Sequence, residues 1–139
     1  MLDLLCYILM SVMRVIFNEY LSMFPQVTVM CKSAFYHLRN ISVICKYLTF
    51  DAVQLLVHAL ITSKRDYCNS LLYGLPKHMT KQLHCVQNAA ARIVSLSPKF
   101  CHITPVLMSL HWLPIDLRIE FKILIITYKT LHGLAPAYI

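Results

Sequence analysis

Acidic side chains are scarce. The 139 residues hold only six, Asp3, Glu19, Asp51, Asp66, Asp116 and Glu120, against 13 lysines and arginines. No two acids are adjacent, and there is no Asp-Asp pair. Nucleotidyl transfer needs clustered carboxylates to hold two metal ions, so no catalytic residue is assigned and the chain reads as a non-enzyme. Glycine is scarcer still, with two residues, Gly74 and Gly133. Neither a phosphate-cradling P-loop nor a G-x-S-x-G nucleophile elbow occurs. Charged residues make up 14%, where globular domains average about 25%. Hydrophobic residues make up 58%, more than a domain of this size readily hides, because small domains keep a large surface for their volume. The chain must dock against something larger, touch a membrane or self-associate through exposed apolar surface. With no fixed-period repeat, linker or charge block, it reads as one unit.

What the sequence does contain is positive charge. The net charge of +7 favours a polyanionic partner, either nucleic acid or an acidic membrane surface. The six cysteines, Cys6, Cys31, Cys45, Cys68, Cys85 and Cys101, have no short spacing and most sit in apolar runs. They read as reduced, buried thiols of an intracellular protein, cytoplasmic or nuclear. Met1 to Phe17 is very apolar, but Asp3 and Arg14 interrupt it. It lacks the basic n-region and cleavage site of a signal peptide and falls short of the about 20 apolar residues of a spanning helix.

Periodicity predicts an all-α fold, an irregular bundle of about five to six helices, with one short β-strand near residues 15–17, where Val15, Ile16 and Phe17 precede Asn18. Val27, Met30, Ala34, Leu38 and Ile41 recur at helical spacing, and Lys32, Arg39 and Lys46 form a basic row seven residues apart. Thr49 is placed to cap the next helix, with Asp51 in its first turn and Val53, Leu56, Val57 and Leu60 on its apolar face. Ser63-Lys64-Arg65-Asp66 has the form of a capping box for a further short helix, with Gly74 at its C′ position. Leu83, Val86, Ala90, Ile93 and Leu96 make the next stripe, after Pro76 and before Ser97-Pro98. Thr104-Pro105 reads as N-cap and first helical position, and Pro114 opens the last helix, which Gly133 and Pro136 end.

Ile115 to Ile123 alternates apolar and charged residues, a strand signal that Ile123 to Ile126 then breaks. On a helical wheel Leu117, Phe121, Leu124, Tyr128 and Leu131 form one apolar face and Ile119, Ile123 and Ile126 a second, with Arg118, Lys122 and Lys129 between them. The reading is a helix wedged between two neighbours. Trp112, before Leu113-Pro114, reads as a packing anchor at a helix corner, and Tyr67 and Tyr73 as half-buried core residues.

Few residues carry candidate chemistry. The pairs His84-Cys85 and Cys101-His102 lack the spacing of zinc ligands, so no metal, and likewise no cofactor or small-molecule substrate, is assigned. For nucleic acid, Arg118, Lys122 and Lys129 are candidates to line phosphates from one helix edge, Lys81 and Arg92 from another, and His111, Trp112 and Tyr128 offer stacking faces.

Three segments, DAVQLLVHALITSKRDYCNSLLYGLP, LHCVQNAAARIV and HITPVLMSLHWLPIDLRIEFKILIITYKTLHGLAPAYI, together resemble the region after the palm in LINE-type (non-LTR) retrotransposon reverse transcriptases of the jockey-like kind. Upstream, VIFNEYLSMFPQVTVMCKSAFYHLRNI is similar to that family's join between palm and thumb. The likeness covers residues 15–139, and residues 1–14 form a poorly matching N-terminal extension. The resemblance implies a thumb-like, post-palm helical region that holds RNA or RNA–DNA hybrid beside a palm domain, with the catalytic aspartates of the RNA-directed DNA polymerase lying upstream of it. The family usually has Leu where Arg65 stands, which reads as drift or a tolerated surface site. The chain ends on apolar residues at Ile139, which points to a truncated reading frame. The function so implied is that of a non-catalytic fragment with at most residual RNA or RNA–DNA hybrid binding. The alternatives are a small membrane-associated basic protein anchored through Met1 to Phe17, and an open reading frame with no selected function.

Overall fold

The computed structural model describes residues 23–67 and 69–134, and among them the fold is all-α, with no strand. The expected strand at residues 15–17, the N-terminal apolar segment and the stop at Pro136 lie outside the described residues.

Among the described residues five helices make the bundle. Helix α1 is Phe24–Ile44. A short 3-10 turn, Cys45–Tyr47, follows it. Helix α2 starts as Phe50–Val57, widens into a π turn over His58–Thr62 and finishes as Ser63–Asp66. A second 3-10 turn, Asn69–Leu72, leads to α3, Lys77–Val94. Then come α4, Ile103–Ser109, and α5, Ile115–Leu131.

Helix α1 buries Val27, Cys31, Ala34, Leu38 and Ile41, the stripe read from spacing, with Met30 packed at its margin. Its main partner is α3, which also touches α2, α4 and α5 and forms the centre of the bundle. Ala90 and Ala91 are buried on α3. Their small side chains let neighbouring backbones approach closely. Thr49 caps α2 as expected, its Oγ1 accepting from Ala52 N at 3.4 Å.

Local readings gave way at several places. Ser63 starts no helix, because α2 runs through the π turn without a break. Its hydroxyl instead donates to the Ala59 carbonyl at 2.5 Å, and the capping box does not form. Leu96 does not extend the α3 stripe. It lies past the helix end at φ 51° and is exposed. Helix α4 begins two residues before Pro105, with His102 as its N-cap. Tyr67 and Tyr73 are exposed rather than half-buried. The 115–123 segment is a helix, as the wheel indicated. Among the described residues, however, only one of its faces is covered: Ile115 and Ile119 are buried and Ile123 packs beside them.

The segments quoted for their distinctive sequence meet in space. Gln87 Nε2 donates to the Leu113 carbonyl at 2.7 Å, tying α3 to the corner that carries Trp112. Trp112 is buried there, as expected of an anchor, and its ring meets His58 edge-on at 5.6 Å. Asp66 accepts from Arg118 Nε at 2.9 Å and also from Arg118 Nη2, joining the end of α2 to the first turns of α5. Asn69 Nδ2 reaches the Arg118 carbonyl at 3.5 Å. Arg65 is 5% exposed, so it occupies no surface site. Its Nε lies 3.5 Å from Asp66 Oδ1, and its long stem lets the charge reach that carboxylate from an apolar position.

Candidate nucleic-acid interface

The five cations expected to meet phosphate divide into two groups. Arg118 is spent on Asp66, a bidentate pair with fixed geometry. Arg92 is half-buried, with Nη2 3.5 Å from the Cys101 carbonyl and a buried Nε that has no partner among the described residues. Both guanidinium groups are thus partly engaged within the bundle and only partly open to solvent. Lys81, Lys122 and Lys129 are exposed. Lys81, with Lys77, lines an open groove of about 540 Å³ between α3 and α5, whose other wall carries Asp116 and Glu120. Asp116 Oδ2 also accepts from His84 Nε2 at 3.1 Å. The groove is therefore mixed in charge. None of the other four cations lines it.

A more uniform surface lies elsewhere. The acids among the described residues are Asp51 and Asp66 on α2 and Asp116 and Glu120 on α5. Helices α1 and α3, which pack on each other, contain none. A groove of about 440 Å³ runs along α1, lined by Thr28, Lys32, Phe35, Tyr36 and Arg39, with Gln82 contributed by α3. Lys32 and Arg39 are exposed, and so are the rings of Phe35 and Tyr36. Lys46 continues the row just past the helix, its ammonium 4.9 Å from the Tyr47 ring centroid.

On another side of α1, His37 Nε2 lies 3.2 Å from Lys64 Nζ, which also reaches Ser33 Oγ at 3.5 Å. Burial pushes the His37 pKa down, and the Lys64 charge pushes it further. The neutral ring accepts from the ammonium, so this contact joins α1 to α2. Tyr36 stands edge-on to His37, centroids 5.6 Å apart, which steadies its ring.

The basic row of α1 was visible in sequence, but the aromatics between its members were not singled out. Their signal was present. Phe35 and Tyr36 follow Ala34 directly and fall off the stripe Val27, Ala34, Leu38, Ile41, so a helix must turn them outward. Cation–aromatic alternation on one exposed helix face suits a single strand, because cations meet phosphates while rings stack on bases without regard to sequence.

Cys31, Cys45, Cys85 and Cys101 are free thiols, of which Cys31 is buried, Cys45 half-buried and the other two exposed. Among the described residues no three His, Cys, Asp or Glu side chains are grouped to hold a metal ion. No helix of the described residues is long and apolar enough to cross a membrane.

None of the protein-family models, curated proteins or solved structures compared with this chain matches it. What the surface can do must be argued from the surface itself.

Proposed function

We propose that this chain is a non-catalytic nucleic-acid-binding helical module, a piece of the post-palm region of a LINE-type reverse transcriptase, that holds RNA or RNA–DNA hybrid against α1. One observation carries the reading: the acids of the described residues are confined to α2 and α5, while the exposed face of α1 interleaves Lys32 and Arg39 with Phe35 and Tyr36. The family origin rests on the quoted segments, whose residues Asp66, Gln87, Leu113 and Arg118 hold the bundle together. The reading places the chain inside the cell, where RNA is present and thiols stay reduced.

The binding is electrostatic at its base, so it must release counterions. Each phosphate neutralised contributes about −0.7 to the slope of log K against log salt for a single strand. Filter binding of a labelled single-stranded RNA to the full chain across a salt series tests this. A slope of about −2 to −3 is expected if Lys32, Arg39, Lys46 and a neighbouring lysine engage. An affinity indifferent to ionic strength would refute the reading.

A further inference from the structure

Among the described residues, helix α5 is covered on one side only. Its inner face, Ile115, Ile119 and Ile123, packs on the bundle. On the opposite side Leu117, Phe121, Leu124, Tyr128 and Leu131 are each more than half exposed. Their spacing runs four, three, four, three. This is the repeat by which two helices interdigitate as a coiled coil, each side chain entering a hole between four of the partner's.

We infer that this stripe is the interface of a two-fold homodimer in which α5 of one copy pairs with α5 of a second. The inference does not depend on the nucleic-acid reading, since it uses another helix and another face.

Two observations select a second copy as the occupant. First, the area fits. From their exposed fractions the five side chains present roughly 600 Å² per copy, about 1,200 Å² in a pair, which reaches the lower end of specific, stable interfaces. Leu134 and the flanking lysine stems add to it. Second, the surface is self-complementary. An unbroken heptad stripe on one helix matches an identical stripe, as an isologous contact requires. Leu124 is the middle residue of the stripe.

The experiment uses the full chain. Sedimentation equilibrium over a concentration series reads the dimer, and Leu124→Glu places one carboxylate from each copy in the middle of the stripe. Leu124 is largely exposed in the monomer, so this change leaves the core intact, which circular dichroism verifies. The dimer dissociation constant should rise at least tenfold. A photo-crosslinking residue at position 124, in a mixture of isotopically light and heavy chains, identifies what covers the stripe. Light-to-heavy products joining α5 to α5 are expected. A species that stays monomeric at all concentrations overturns the proposal. So do open-ended aggregates, products joining position 124 to residues 1–22 of the same chain, and inter-chain products that miss α5.

Discussion

Asp66 is the most consequential single charge in the bundle. It is the one carboxylate between two guanidinium groups, accepting two hydrogen bonds from Arg118 and standing 3.5 Å from Arg65. The Arg65 side chain is only 6% exposed, while Asp66 and Arg118 are each 30% exposed. Burial, followed by the opposing effects of its two charged neighbours, lowers the Arg65 pKa. Asp66→Ala leaves this buried cation with no counter-charge and a second cation beside it. Removing one partner of a fully buried pair costs about 3–5 kcal/mol. Because Asp66 and Arg118 are partly wet, solvent screening puts the expected loss at or below the lower bound, about 2–3 kcal/mol. Arg118→Met should cost less, about 1 kcal/mol, since it leaves a neutral Asp66–Arg65 pair. Arg65→Leu removes the desolvated charge and should be close to neutral, and in the Asp66→Ala background it should restore about 1 kcal/mol or more. Urea unfolding followed by circular dichroism measures all four. If Asp66→Ala costs less than about 0.5 kcal/mol, like an ordinary surface ion pair, or if Arg65→Leu fails to relieve it, the reasoning is wrong.

Acidification tests the histidines. Burial lowers the pKa of both His37 and His58, helped by Lys64 in the first case and by Arg118 and Arg65 in the second, with Asp66 opposing. Between the folded pKa and the ordinary 6.5, the unfolded chain takes up protons that the folded chain does not. Stability is therefore fully present above pH 6.5 and falls as pH drops through the folded pKa. Thermal melts from pH 7.5 to 5 should show that decline, and His58→Gln should flatten it; a melting temperature that rises on acidification contradicts the assignment. Leu96 holds a left-handed backbone at φ 51° while remaining exposed, so Leu96→Gly should stabilise by about 0.5–1 kcal/mol in urea unfolding. Burial, with Cys85 nearby, pushes the Cys31 thiol up to about 11. Alkylation near pH 8 should modify exposed Cys85 and Cys101 promptly and Cys31 only after unfolding, as peptide mass mapping can read.

The helices were legible because each keeps one apolar stripe at a period the chain cannot satisfy otherwise, as Val27 to Ile41 and Leu83 to Ala90 illustrate. The Thr49 cap and the Trp112 anchor were legible because both are local chemistry. Other readings met contacts at several ranges. Ser63-Lys64-Arg65-Asp66 has the composition of a helix start, yet α2 continues through it and Asp66 serves Arg118, 52 residues away. That long-range contact engages the Arg118 guanidinium. Arg92 meets a nearer partner, the Cys101 carbonyl nine residues on, where the segment after α3 folds back. Among the described residues no acid lines the groove of the α1 row, and no local pattern records which surfaces the acids leave clear.

A single strand of RNA lying along α1 sets its bases against Phe35 and Tyr36. Zero-distance ultraviolet crosslinking of the full chain to a 4-thiouridine-labelled RNA, with the attachment sites read by mass spectrometry, reads that contact. Adducts are expected on Phe35 or Tyr36, greatly reduced by Lys32→Glu/Arg39→Glu and retained in Lys122→Glu/Lys129→Glu. Adducts confined to α5 or to the groove of Lys77 and Lys81, or no adduct at a concentration where binding is saturated, would rule out this placement of the strand.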